Sequence, residues 1–185
     1  ITHYLIHSYD FAPIAHRGIA AANKYAKVAP GAPHAQHMPS HIYSMVGMWP
    51  ESIESNLASI RVANEYAASN KLAGSLGGVL HAYDFMQYAY LQRGEDAKAR
   101  ALIDDVAAIK KVIGAGSPIN TARAAVPARY FLERQDWQGA AQLQPQPSAF
   151  PQADAITHFA RALGAARSGD LAAAQADIDK LNGLR

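Results

Sequence analysis

The sequence predicts an all-α protein, and three observations carry that prediction. Apolar residues recur at i, i+3, i+4 and i+7, in an alanine-rich background. Sustained period-two alternation is missing. Turn dipeptides fall roughly every 15 to 20 residues, wider than the roughly 8 to 12 of an all-β chain. Half of the 185 residues are hydrophobic and 17% are charged, which excludes a disordered chain and allows a real core.

Taken in order, a first helix spans about Ile1 to Tyr9 and stops at Asp10-Phe11-Ala12-Pro13. A second runs from Ile14 to Val28, ended by Pro30-Gly31 and Pro33. The third begins near His34 and ends at Gly47. Pro39 inside it has no N–H to donate and should kink the helix or delay its start. A fourth covers Glu51 to about Ser69. The linker Gly74 to Gly78 leads to a fifth, Val79 to Gln92, stopped by Gly94. The sixth, Asp96 to Ile113, is closed by the turn from Gly114 to Pro118. Thr121 to Arg134 and Trp137 to Leu143 are weaker helices. The Pro-rich loop Gln144 to Gln152 precedes the last two, Ala153 to Arg167 and Leu171 to Asn182. The expected pattern is ten helices in five pairs, at about 1–29, 34–69, 79–114, 120–143 and 153–183, in a single domain.

The formal charge of +2 is small and evenly spread, so neither a nucleic-acid nor a membrane surface is expected. No apolar run approaches the ~20 residues of a membrane span. The absence of cysteine removes thiolate and disulfide chemistry without deciding the compartment. Because the chain opens at Ile1 inside a helical pattern, it is expected to be a piece of a longer protein. The cut start would leave one face of the first pair open, through which a homodimer could form.

Histidine is the conspicuous chemistry. HYLIH places His3 and His7, and HAQHMPSH places His34, His37 and His41, so five of eight histidines fall in two short segments. His3/His7 and His37/His41 are i,i+4 pairs and His81/Asp84 is an i,i+3 pair, so each shares a helix face. No G-x-S-x-G turn surrounds Ser40 and no Lys-Ser/Thr follows GSLGG, so no nucleophile elbow or phosphate loop is marked.

The five pairs also align on one another. With Pro13, Gly47, Gly94, Gln135 and Gly169 as hinges, Tyr9, Tyr43, Tyr90, Phe131 and Ala165 stand four residues before. Gly18, Ser52, Ala99, Ala140 and Ala174 stand five after. A bulky residue on one helix should therefore meet a small one where the next crosses it. The end spacings match a ~34-residue repeat and the middle ones carry insertions. The phrases RGEDAKA, SGDLAAA and RQDWQGA resemble tetratricopeptide-repeat hinges. More narrowly, ITHYLIHSYD, APHAQHMPSHIYSMVGMW and HAYDFMQYAYLQRG resemble a bacterial family of tetratricopeptide-like proteins with HYLIHxYD and HMPSHI phrases and no established role. The resemblance is specific from Ile1 to Gly94 and only repeat-like beyond.

This resemblance implies an α-α superhelix whose concave groove is lined by the first helix of each pair. Its register, about 13, 10 and 6 positions before each hinge, puts His3, His7, His34, His37, His41, His81, Asp84 and Tyr88 on one groove face. The leading expectation is a binding module that holds a peptide, a protein segment or a small molecule there, without catalytic residues. The runner-up is a metal-binding protein or metal-dependent enzyme using His3, His7, His37, His41, His81 and Asp84, with a divalent ion such as zinc as its cofactor. A third reading has the clustered histidines, with Asp10 or Asp84, doing acid–base work. His16 and His158 fall off the face and are expected to be structural or exposed.

Overall fold

A computed structural model describes residues 1–114, 116–146 and 148–184. Ala115, in the turn expected after the sixth helix, and Pro147, in the Pro-rich loop, lie outside them. The described residues are almost entirely helical. In order they form α1 (Thr2–Tyr9), a 3-10 segment (Ala12–Gly18), α2 (Ile19–Val28), α3 (Pro33–His37), α4 (Pro39–Met45), α5 (Trp49–Ser69), β1 (Ser75–Leu76), α6 (Gly77–Gln92), α7 (Asp96–Ala108), β2 (Val112–Ile113), α8 (Ser117–Glu133), α9 (Trp137–Ala141), α10 (Pro151–Arg167) and α11 (Leu171–Gly183). None of these helices is long and apolar enough to cross a membrane.

Chain neighbours are mostly spatial neighbours. α3 and α4 lie along α5, α5 on α6, α6 on α7 and α8, α8 and α9 on α10, and α10 on α11. One apolar cluster joins α5 to α8 through Ile60, Leu80, Met86, Leu102 and Val126. Another ties α1, α2 and α4 together through Ile6, Ala22, Ile42 and Tyr43. Full burial of an Ile or Met side chain contributes about 1.5–3 kcal/mol.

The helix ends show why the chain turns where it does. Gly47, Gly94, Gln135 and Gly169 have φ of 76°, 67°, 55° and 87°. One residue later, the N–H of Met48, Glu95, Asp136 and Asp170 reaches back 2.9 Å to the carbonyl of Tyr43, Tyr90, Phe131 and Ala165. This is the Schellman closure, in which a left-handed residue lets the chain reverse while a carbonyl of the last turn keeps a donor. Four of the five expected hinges share it. Pro13 does not, because proline cannot take positive φ. The five small residues beyond the hinges are all buried. A Cβ on Gly18 would lie 2.6 Å from Ile42 Cδ1, so a larger residue there would have to displace the Ile42 side chain for that crossing to close.

Three sequence expectations change. The sixth helix stops at Ala108 rather than Ile113, and Val112–Ile113 pairs in parallel with Ser75–Leu76 of the GSLGG linker. The β-branched pair finds an extended partner there, while Arg123 Nη2 donates to the Ile109 carbonyl at 2.6 Å and caps the shortened helix. The second helix begins as 3-10 winding up to Gly18. The third divides at Met38, where His41 N–H bonds the Met38 carbonyl, three residues back rather than four. Met38 nevertheless stays right-handed (φ −53°, ψ −35°), so Pro39 interrupts the hydrogen-bond ladder without diverting the chain.

Candidate metal centre

α5 carries the structural key to the site. Its positions 52, 55, 56 and 59 follow the i, i+3, i+4, i+7 spacing of a core-facing stripe, yet they are Ser52, Ser55, Asn56 and Ser59, all buried. Buried polar groups must find partners, and these find them mostly on α3. Ser55 Oγ donates to the Gln36 carbonyl and Ser59 Oγ to the Pro33 carbonyl (2.8 Å). Asn56 Nδ2 donates to the Ser52 carbonyl (2.8 Å), which points Oδ1 at His37. His37 Nδ1–H donates to that oxygen at 2.6 Å. Ser40 Oγ, 3.5 Å from the same nitrogen, is too far to compete.

His41 is oriented in the same way from another element. Its Nδ1–H donates to Asp10 Oδ2 at 2.8 Å, across the α1–α4 contact. Both outer bonds place the ring proton on Nδ1, since each acceptor is an oxygen that cannot donate. The two Nε2 atoms therefore face each other as lone pairs when the rings are neutral, 3.1 Å apart. A cation between them relieves that contact. His81, in the second turn of α6, joins from a third element. The ligand nitrogens of His37, His41 and His81 lie within 4.8 Å of one another. A shared proton bridges two acceptors, whereas three imidazoles grouped in this way could hold a metal ion.

Phe85 packs on all three rings, with centroids 4.9, 4.8 and 5.2 Å away, and walls one side with carbon. Burial, then the neighbouring His81 and His41 imidazoles, holds the His37 pKa down to about 3. His81 is also lowered, chiefly by burial. His37 and His81 are thus kept in the neutral form that binds metals.

His3, His7 and His34 form a second set. His3 Nε2 stands 3.1 Å from His34 Nε2 and 3.1 Å from His7 Nε2. Tyr25 stacks on the His3 ring at 5.3 Å. His7 and His34 are exposed and His3 half-buried. The His7 and His41 rings, 6.3 Å apart, connect the two sets.

The six-residue metal set expected from sequence therefore divides. His3 and His7 group with His34, which that set omitted, while His37 and His41 group with His81. Asp84 is in neither group: Arg129 Nη1 donates to its Oδ1 and to its carbonyl. Arg129 also lies over the Tyr88 ring (5.8 Å), whose edge meets Trp49 at 5.4 Å. Asp84, Phe85, Tyr88 and Arg129, with Ser44 and Met45, line a cavity of about 380 Å³ beside the buried triad. His158 is structural, donating to the buried Asp177 at 2.7 Å beside Arg161. Sequence reasoning missed Asn56 and Phe85. The polar stripe on α5 was a readable signal for Asn56, whereas nothing distinguished Phe85 from a core aromatic. Set against known proteins, the chain matches no family model, no curated protein and no solved structure.

Proposed function

We infer that the protein binds a first-row divalent transition metal, zinc or a close analogue, through Nε2 of His37 and His41 and one ring nitrogen of His81. The observation that carries this is the pair of Nδ1 hydrogen bonds, to Asn56 and Asp10, that aim two Nε2 lone pairs at one point. Orienting partners of this kind accompany metal-ligating histidines and raise their basicity. Tetrahedral zinc with 2.0–2.1 Å bonds separates its ligand atoms by about 3.3–3.4 Å. The 3.1 Å His37–His41 separation is close to that. His81 must swing inward by up to about 1.5 Å to complete the set. Three protein ligands leave a fourth position for water or an external ligand.

This reading reverses the order of the sequence expectations. The binding-module reading retains one supporting observation, the cavity from Ser44 to Arg129, which would hold a small ligand or peptide side chain beside the metal. The α-α superhelix of five pairs stays part of the proposal. It is supported by the four repeated Schellman hinges and by the buried small residue after each hinge.

The test is metal content of the purified chain, with zinc or cobalt reconstitution, in wild type and in His37→Ala and His41→Ala. Near one equivalent at the buried centre, lost in either variant, is expected. No bound metal, with melting unmoved by Zn²⁺ or EDTA, refutes the proposal.

A further inference from the structure

The exposed triad is built differently from the buried one, and the difference is informative. Its three Nε2 atoms converge on His3 at the same 3.1 Å spacing. Among the described residues, however, no hydrogen bond holds the Nδ1 of His3, His7 or His34, whereas His37 and His41 are both anchored. His7 and His34 face solvent, while His37 is 3% exposed. Losing outer partners of this kind lowers metal affinity about 10–100-fold. Exposure lets a hydrated ion exchange its waters for imidazoles one at a time.

The two triads also adjoin. His34 and His37 stand one helical turn apart on α3, and the His7 and His41 rings are 6.3 Å apart. The His37 and His81 rings, 4.6 Å apart, complete the line. Six imidazoles thus form an unbroken series from solvent to the interior, on four helices. Phe85 and the α5 stripe close around His37 itself, whereas His41 and His81 remain half-buried.

Resting on the proposed buried centre, we propose that His3, His7 and His34 are a second, weaker site for the same divalent transition metal. It captures the ion at the surface and passes it by ligand exchange through His7 and His41 to the buried triad. A captured ion is held next to its destination, across the His7–His41 ring contact. The buried site then loads quickly from dilute metal.

The experiment is a titration of the full chain with Zn²⁺ or Co²⁺ against a chromophoric chelator, together with stopped-flow loading. Wild type should bind two equivalents, the second about 10–100-fold more weakly. His3→Ala/His7→Ala should bind one, with the tight constant unchanged and loading slowed relative to wild type. His34→Gln provides an independent variant at an exposed position, and circular dichroism checks that both fold. One equivalent in wild type, lost only in His37→Ala, overturns the second site and leaves the buried centre standing. One equivalent lost only in the double variant overturns the buried centre and, with it, the transfer. Unchanged loading in the double variant overturns the capture role. No binding at all overturns both proposals.

Discussion

Asn56 is where the metal reading is most exposed to refutation. Asn56→Leu keeps the number and branching of side-chain heavy atoms, so little cavity opens, but it removes the oxygen that accepts from His37 Nδ1. Two costs follow. The His37 donor, at a site with no solvent access to Asn56, is left unpaired, which destabilises the fold by about 1–3 kcal/mol. The ring also loses its reason to keep the proton on Nδ1, and the tautomer with Nε2–H has no lone pair for the metal. Losing an orienting partner of this kind costs about 10–100-fold in affinity, roughly 1.4–2.7 kcal/mol. Ser40 Oγ would have to close by about 0.5 Å to substitute, so Asn56→Leu/Ser40→Ala should fall at the upper end of both ranges. Urea denaturation and chelator competition read the two effects separately. If Asn56→Leu folds and binds zinc within about threefold of wild type, the outer hydrogen bond does not position His37 and the argument fails.

Acidification gives a second check. His37 has a folded pKa of about 3 against 6.5 for the free side chain, so the folded state binds fewer protons in between. Its contribution is complete above pH 6.5 and is lost as pH falls from 6.5 toward 3. By pH 4.5 His37 alone should cost ~3 kcal/mol relative to neutral pH, and His37→Gln should show that much less loss in urea denaturation. Metal binding should weaken over the same range, because protons and the ion compete for the imidazoles. Saturating Zn²⁺ at about 100 times its dissociation constant should add ~2.7 kcal/mol of stability in calorimetry, reversed by EDTA. Gly164→Ala would place a Cβ 2.5 Å from the Trp137 carbonyl oxygen and 2.6 Å from the Ala141 nitrogen. Backbone cannot yield there, so a loss of about 1–3 kcal/mol is expected. Gly78→Ala, with nothing within 4 Å of the new Cβ, should be neutral or stabilising by up to about 1 kcal/mol in the same denaturation assay.

Sequence alone determined the helical class, four of the five hinge positions and the histidines worth attention, because each is a local property. Helical periodicity shows in a few turns, a left-handed hinge needs only its own residue and the closing bond, and an i,i+4 pair shares a face whatever surrounds it. The kink expected at Pro39 lies between His37 and His41, and whether it separates them is not a local matter, since whether a proline diverts a chain depends on what holds both sides. Here the serines and asparagine of α5 hold α3 in line. Tertiary structure alone decided the partition of six imidazoles into a buried and an exposed triad, and the withdrawal of Asp84 to Arg129. It also decided which nitrogen of His37 and His41 is free. Those outcomes depend on groups as distant in sequence as Asp10 from His41 and Asp84 from Arg129. Only packing brings such groups within the ~3 Å at which a hydrogen bond selects a tautomer.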